Sequence, residues 1–234
     1  MRLVVFGANG ATGRLLVREA LAAGHVVVAA TRQPADFPLA GDRLVVERAD
    51  VLNDDAVARV VEGADVVLSS LGVPFSRKPI TVYSAGMANI AGAMSRYGIK
   101  RVIAVSSSAT EPSHHADGGF LLNRVIQPLV TATIGKTTYA DMRRMEQFLR
   151  GSDLDWTVMR PSGLFDAAAV SAYDLREDRA DGIFTSRVDL AASMLAQATS
   201  TEWVRKNVAV NTSAGAPTLF QTFRREAFRR DQNG

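Results

Sequence analysis

The chain has 234 residues and a formal net charge of +3, a length that suits one α/β domain whose core needs neither metal nor disulfide. It has no cysteine and three histidines, His25, His114 and His115, which excludes thiol nucleophiles and thiolate metal sites and argues for a metal-free site. The basic excess sits locally in Arg224, Arg225, Arg229 and Arg230, no apolar run reaches the ~20 residues of a membrane span, and Met1-Arg2-Leu3-Val4 shows no leader pattern; the expectation is a cytoplasmic chain without nucleic-acid or membrane partners.

Along the chain, short β-branched runs alternate with helical patterns. A strand over 3–6 leads into Gly7-Ala8-Asn9-Gly10-Ala11-Thr12-Gly13 and a helix over 12–23. Strands over 26–30, 44–47, 66–69, 101–105, 156–159 and 208–211 follow, most of them continuously apolar, as parallel strands covered on both faces are. Between them lie expected helices over 54–62, 81–97, 139–150 and 188–198, with Asn53-Asp54-Asp55 as a capping run and Gly24, Gly63 and Gly98 as stops. Parallel strands joined by helical crossovers give a doubly wound sheet, an α/β Rossmann architecture in a single domain over 1–234, with its ligand crevice at the carboxyl ends of the strands.

The glycine run stands between a strand and an amphipathic helix. Gly7 permits the sharp turn, Gly10 lets backbone amides approach a diphosphate, and Gly13 lets helix and strand pack closely. With Asn9, Ala11 and Thr12 these residues form a candidate phosphate cradle at a helix N-terminus that carries roughly half a positive charge. After the second strand comes Thr31-Arg32, where an acid would accept from a free ribose diol. An arginine there suits a 2′-phosphate instead, or else is a solvated strand-end residue, so NADP(H) is the expected cofactor.

The loop, spelled GxxGxxG, resembles that of the atypical and extended short-chain dehydrogenase/reductases, and the resemblance covers most of the chain. It implies that Asp50 and Val51 lie beside the adenine, although Asp50 has the alternative of capping the approach to the next helix. It places Ser70, Leu71 and Gly72 beside the cofactor riboses, and Ser106, Ser107 and Ser108 at the strand end where the family keeps a substrate-facing hydroxyl. Ser108 matches extended members best, and Ser107 the shorter flavin-reductase-like ones. The family's Tyr-x-x-x-Lys is here Tyr139-Ala140-Asp141-Met142-Arg143. Arg143 offers a cation for the ribose but cannot lose a proton, so Tyr139 is either an altered acid–base partner or an ordered helix-face residue. Lys136 is the other cation near Tyr139.

Glu146-Gln147-Phe148-Leu149, then Leu154 through Arg160-Pro161, look like the helix, sixth strand and Arg-Pro turn of atypical members, with Pro161 and Phe165 flanking the nicotinamide. Thr185-Ser186-Arg187-Val188-Asp189-Leu190-Ala191 is similar to that group's helix start and reads as structural, Asp189 complementing the helix dipole. The nearest forms are the biliverdin-IXβ reductase/flavin reductase group and NmrA-like proteins. Residues 111–136, with His114 and His115, read as a lid insertion. In the tail over 216–234, Leu219, Phe220, Phe223, Ala227 and Phe228 mark one face of a helix that docks on the body or on a second subunit. The expected protein is a monomer or homodimer acting on a small-molecule substrate: an NADPH-dependent reductase of a planar or carbonyl acceptor such as a flavin or quinone. The alternatives are an NADP(H)-binding redox sensor of NmrA type and an epimerase or lyase of extended type.

Overall fold

The structure, a computed structural model, describes residues 1–76, 78–111, 135–178 and 182–213. The remainder of the expected lid, with His114 and His115, and the expected helix over 216–234 lie outside the described residues.

In chain order the elements are β1 (Arg2–Phe6), α1 (Ala11–Ala22), β2 (Val26–Thr31), β3 (Leu44–Arg48), α2 (Asp54–Val61), β4 (Val66–Ser69), α3 (Val82–Arg96), β5 (Arg101–Val105), α4 (Lys136–Arg150), β6 (Asp155–Pro161), β7 (Gly163–Phe165), β8 (Tyr173–Glu177), β9 (Phe184–Ser186), α5 (Arg187–Ala196) and β10 (Lys206–Thr212). Eight strands form one sheet in the order β3-β2-β1-β4-β5-β6-β10-β8. All neighbours are parallel except β8, which runs antiparallel to β10.

Period-two alternation divides the strands between two cores. Leu3 and Val5 of β1 face α1 and α5 with Leu16, Val17, Leu190 and Met194. Val4 and Phe6 face α2, α3 and α4 with Val57, Met87, Ile90 and Met145. Each buried aliphatic side chain of this kind contributes about 1.5–3 kcal/mol from burial. Helix starts follow local chemistry: Asn53 Oδ1 accepts from the Ala56 amide at 2.9 Å, a cap worth ~1 kcal/mol.

The α3 start has no side-chain cap of its own, and α4 supplies one. Asp141, fully buried, accepts from the Tyr83 amide at 2.9 Å and from the Ser84 hydroxyl, while Arg144 Nη2 donates to it at 3.0 Å. The middle of the Tyr139–Arg143 stretch is therefore occupied by an inter-helix cap.

The parallel sheet and the expected helices are present, with α4 beginning three residues before the expected 139. Three strands were not anticipated. β7 and β9 are three residues each and form a small separate sheet, too short to show a period. β8, with the charged sequence YDLRE, is half exposed and, among the described residues, pairs only with β10. Among the described residues no helix is long and apolar enough to cross a membrane, and no cluster of metal-ligating side chains occurs.

Candidate functional site

The site starts where β1 ends. Gly7 has φ +74°, and a Cβ on it would lie 2.6 Å from the Ser70 carbonyl oxygen. A Cβ on buried Gly13 would come within 2.2 Å of the Gly7 carbonyl oxygen, so α1 sits directly against the loop. Gly10 donates its amide to the Gly7 carbonyl at 3.0 Å and serves as N-cap of α1. It makes no side-chain cap bond, and the first turn of α1 has no acid. Helix geometry leaves the first amides of α1 without intrahelical partners, and here a backbone cradle presents them.

That cradle opens into a cleft of about 820 Å³, lined by Gly7, Asn9, Gly10, Ala11 and Thr12 on the loop, by Arg32, Asp50 and Val51 after β2 and β3, and by Ser70, Leu71 and Gly72 after β4. A volume of this size suits a dinucleotide or a drug-sized ligand. Arg32 is exposed on the rim. Asp50 lines the same cleft and also holds the turn into α2, its Oδ1 accepting from the Leu52 amide at 3.0 Å; the cap of that helix is Asn53. The Val51 side chain is buried against Gly86, and its carbonyl accepts from Asn89 Nδ2 at 2.9 Å. Ser70 directs its hydroxyl at the Phe6 carbonyl, 3.1 Å away, bracing the end of β1. Asn9 accepts from Arg14 Nε at 2.9 Å through its side-chain oxygen.

Val105 is the last residue of β5 and lines the cleft. The residues that follow it are not part of the cleft lining; they continue from its end. Ser106 is buried and donates its hydroxyl to Glu146 Oε1 at 2.6 Å. Ser107 caps a short 3-10 turn over Ser108–Thr110, its Oγ accepting from the Ala109 amide at 3.2 Å. Of the two serines it is Ser107 whose hydroxyl acts on the Tyr139 phenol, favouring its ionised form. Burial pushes the Tyr139 phenol above its ordinary value of 10.0, and the bond to Ser107 offsets that only in part. Tyr139 packs edge-to-face with Phe75 at 5.9 Å and on the same apolar cluster as Leu71 and Val73, two cleft residues. Arg143 is exposed and donates from Nη1 to the Thr110 carbonyl at 3.1 Å. Among the described residues, no cation contributes to the shift of the Tyr139 phenol.

Behind this loop lies a buried ionic network that motif reading placed only as a helix and an Arg-Pro turn. Arg160 donates to Glu146 from Nε at 3.1 Å and from Nη2 at 2.6 Å, and to Glu111 at 3.0 Å. Glu146 Oε1 also accepts from Thr110 Oγ1 at 3.1 Å. One carboxylate thus holds both ends of the segment that carries Ser107. The hydrogen bond from Arg160 keeps the Glu111 carboxyl below its usual value.

Pro161, buried at the end of β6, is outside the cleft lining; it pairs with Val210 of β10. Phe165 turns away to meet Phe184 edge-on at 6.3 Å. The far wall of the cleft is instead Leu164, Arg187 and Leu190. Asp189, one helical step on, is buried and faces away from the cleft, accepting from the Ser171 amide at 2.7 Å, Ser171 Oγ at 2.9 Å and Thr212 Oγ1 at 2.6 Å. Ser186 supplies the cap of α5 by accepting from the Asp189 amide at 3.1 Å. Nothing in spacing alone separates Arg187 from that capping pattern.

A family model described as NAD(P)H-binding matches residues 7–201. The chain is 36% identical over 110 residues to a uronate dehydrogenase of Pseudomonas syringae pv. tomato, covering 46% of this chain and 40% of the relative. It is 26% identical over 169 residues to the mitochondrial NADH-ubiquinone oxidoreductase 40 kDa subunit of Neurospora crassa, covering 69% of this chain and again 40% of the relative. In both cases it spans well under two thirds of the relative's own length. Among solved structures, a short-chain dehydrogenase/reductase (wide type) from Veillonella parvula in complex with NADP superimposes with a TM-score of 0.74 at 21% identity, covering 91% of this chain and 95% of that one. That likeness establishes the fold.

Proposed function

Since the chain belongs to the NAD(P)H-binding family and is an atypical short-chain dehydrogenase/reductase-like protein of Rossmann fold, we propose that it is an NADPH-dependent reductase of a small planar or carbonyl-bearing acceptor, a flavin or quinone foremost. The carrying observation is the backbone cradle at Gly7, Gly10 and Gly13, where a Cβ on Gly7 or Gly13 would collide with main chain and the α1 amides open into the cleft. A diphosphate fits that donor set. When bound, the nicotinamide coenzyme supplies the hydride. The chain's residues orient and enclose: Gly7, Asn9, Gly10, Ala11, Thr12 and Gly13 hold the diphosphate, Arg32 pairs with a 2′-phosphate, and Asp50, Val51, Ser70, Leu71 and Gly72 wall the adenosine and ribose positions. Leu164 and Leu190 wall the far end, and Ser106 and Pro161, outside the cleft lining, are given no coenzyme contact in this reading.

Ser107 and Tyr139 face the acceptor as a hydrogen-bonded donor pair, with Arg143 fastening the loop through Thr110. A pair without a nearby ammonium suits acceptors that draw their proton from water. The same feature favours a second reading, a protein that binds NADP(H) as a redox sensor and turns nothing over.

The test is a coupled one. Titration by nicotinamide fluorescence compares NADPH with NADH, and absorbance follows NADPH consumption with flavin and quinone acceptors. NADPH is expected to bind more tightly, with Arg32→Asp removing that preference while leaving NADH binding intact, and with measurable turnover. Tight binding without turnover across the panel selects the sensor, and an Arg32→Asp variant that keeps the preference overturns the assignment of Arg32.

A further inference from the structure

The cleft has three charged residues in its described lining, Arg32, Asp50 and Arg187. Arg32 and Asp50 follow β2 and β3, at the end assigned to the adenosine. Arg187, the first residue of α5, lines the same cleft together with the apolar side chains Leu164 and Leu190. It also lines a second cavity of about 360 Å³, which includes Ala11, Arg14 and Arg18 of α1 together with Asp166. Ala11, the first residue of α1 beyond the glycine cradle, is shared by the two cavities. Arg187 thus lines both cavities together with Ala11, the residue that follows the glycine loop's Gly10.

Its side chain is partly covered, at 26% exposure, and donates from Nη1 to Asp166 Oδ1 at 2.8 Å. Asp166 is 79% exposed. An ion pair with one partner so open is worth little, about 0–1 kcal/mol, because water competes for the carboxylate. A diphosphate is a better partner for a guanidinium: it carries more charge, offers oxygens at the spacing of the fork, and in an enclosed cleft is less screened. Helix α1 alone brings about half a charge to the diphosphate, and none of the residues assigned to the phosphate loop is a cation.

We propose that Arg187 is a clamp for the dinucleotide's diphosphate, closing on it from the start of α5, with Asp166 as the competing carboxylate that holds the guanidinium at the cleft edge. The inference rests on the coenzyme-binding part of the reading above and is independent of the acceptor. Because the diphosphate is common to NADH and NADPH, Arg187 acts on both alike, whereas Arg32 acts on NADPH only.

The test uses Arg187→Gln and Asp166→Asn in the full chain, with NADPH, NADH and nicotinamide mononucleotide, which has no diphosphate, as probes. Nicotinamide fluorescence gives Kd, and thermal melts without nucleotide show whether each variant is folded. Arg187→Gln is expected to weaken NADPH and NADH equally, by about tenfold, the loss of one charge-assisted hydrogen bond, with the mononucleotide little changed. Asp166→Asn changes an exposed side chain and is expected to tighten both dinucleotides a few-fold. Unchanged dinucleotide affinity in folded Arg187→Gln, weaker binding in Asp166→Asn, or an Arg187 effect confined to NADPH overturns the proposal. Failure of the native chain to bind either dinucleotide would instead overturn the coenzyme assignment itself.

Discussion

Glu146 of α4 and Arg160 of β6 meet through two hydrogen bonds, at 3.1 and 2.6 Å, with both side chains only 1% exposed. The pair fills the space beneath the Ser106–Thr110 turn, and two hydroxyls from that turn end on the same carboxylate. Breaking such a pair from one side leaves a buried charge without compensation and typically costs about 3–5 kcal/mol. Glu146→Gln keeps the shape and removes the charge. Its unfolding free energy from urea melts is expected to fall by an amount in that range, less whatever the exposed Glu111 carboxylate recovers by its own bond to Arg160. Equal unfolding free energies for the variant and the native chain would show that the network does not contribute to stability.

The cradle gives a sharper expectation. A methyl at residue 13 would stand 2.2 Å from the Gly7 carbonyl oxygen and 2.8 Å from Ala8 Cα, both backbone. Neither neighbour can swing aside like a side chain, so Gly13→Ala must push α1 off the loop. Both NADH and NADPH affinity should drop by at least about a hundredfold, as the amide donors lose their register. Gly92→Ala, on the exposed face of α3 away from the cleft and with nothing within 4 Å of its added methyl, is the control expected to bind normally. Fluorescence titration of the two variants decides it.

These cases also show what a sequence can carry. The glycine spacing, the strand before it and the helix after it are contiguous, so Gly7–Gly13 could be read as one local device, and the seven parallel strands declared themselves through apolar runs. Asn53 was legible as a cap for the same reason. What escaped was built from distant parts. Glu146 and Arg160 belong to different elements, and their pairing depends on β6 lying beneath α4. Asp141 looked like a spacer between Tyr139 and Arg143, yet its partner is the start of α3, 58 residues away. Arg187 sits in a run that also caps a helix, and only the fold brings it to the same cleft as Ala11. Strand β8 escaped because an edge strand half exposed to water has no apolar pattern to betray it.

Asp189 offers a pH signature. Burial raises its carboxyl, but the donors from Ser171, Thr212 and Ser186 outweigh that and hold it below the ordinary 3.8. A carboxyl whose folded value is depressed stabilises the fold fully at pH well above 3.8. That contribution fades as pH falls through 3.8 toward the lower folded value. Asp189→Asn lacks this titration. Its unfolding free energy should therefore be lower than that of the native chain near neutrality, and the gap should narrow on acidification. A gap that stays constant down to the acid transition would assign the loss to packing rather than charge.

Tyr139 separates the two ways a donor pair can act. Its phenol, raised by burial and bonded to Ser107, stays protonated through neutral and mildly alkaline pH. Reductase turnover should then be flat from about pH 6 to about pH 9, because no group at this position titrates in that interval. If the acceptor takes its proton from water, Tyr139→Phe removes an orienting hydrogen bond and kcat falls by less than about tenfold. If Tyr139 itself delivers the proton, the loss reaches the ~10²–10⁴-fold typical of a general acid. Arg143, on the Thr110 carbonyl at 3.1 Å, supplies no cation to help form a phenolate. The smaller loss is therefore expected, with KM rising alongside as Phe75 loses the hydroxyl-fixed ring against which it packs. A hundredfold drop in kcat at unchanged KM would make Tyr139 the acid and remove the case for acceptors protonated by solvent.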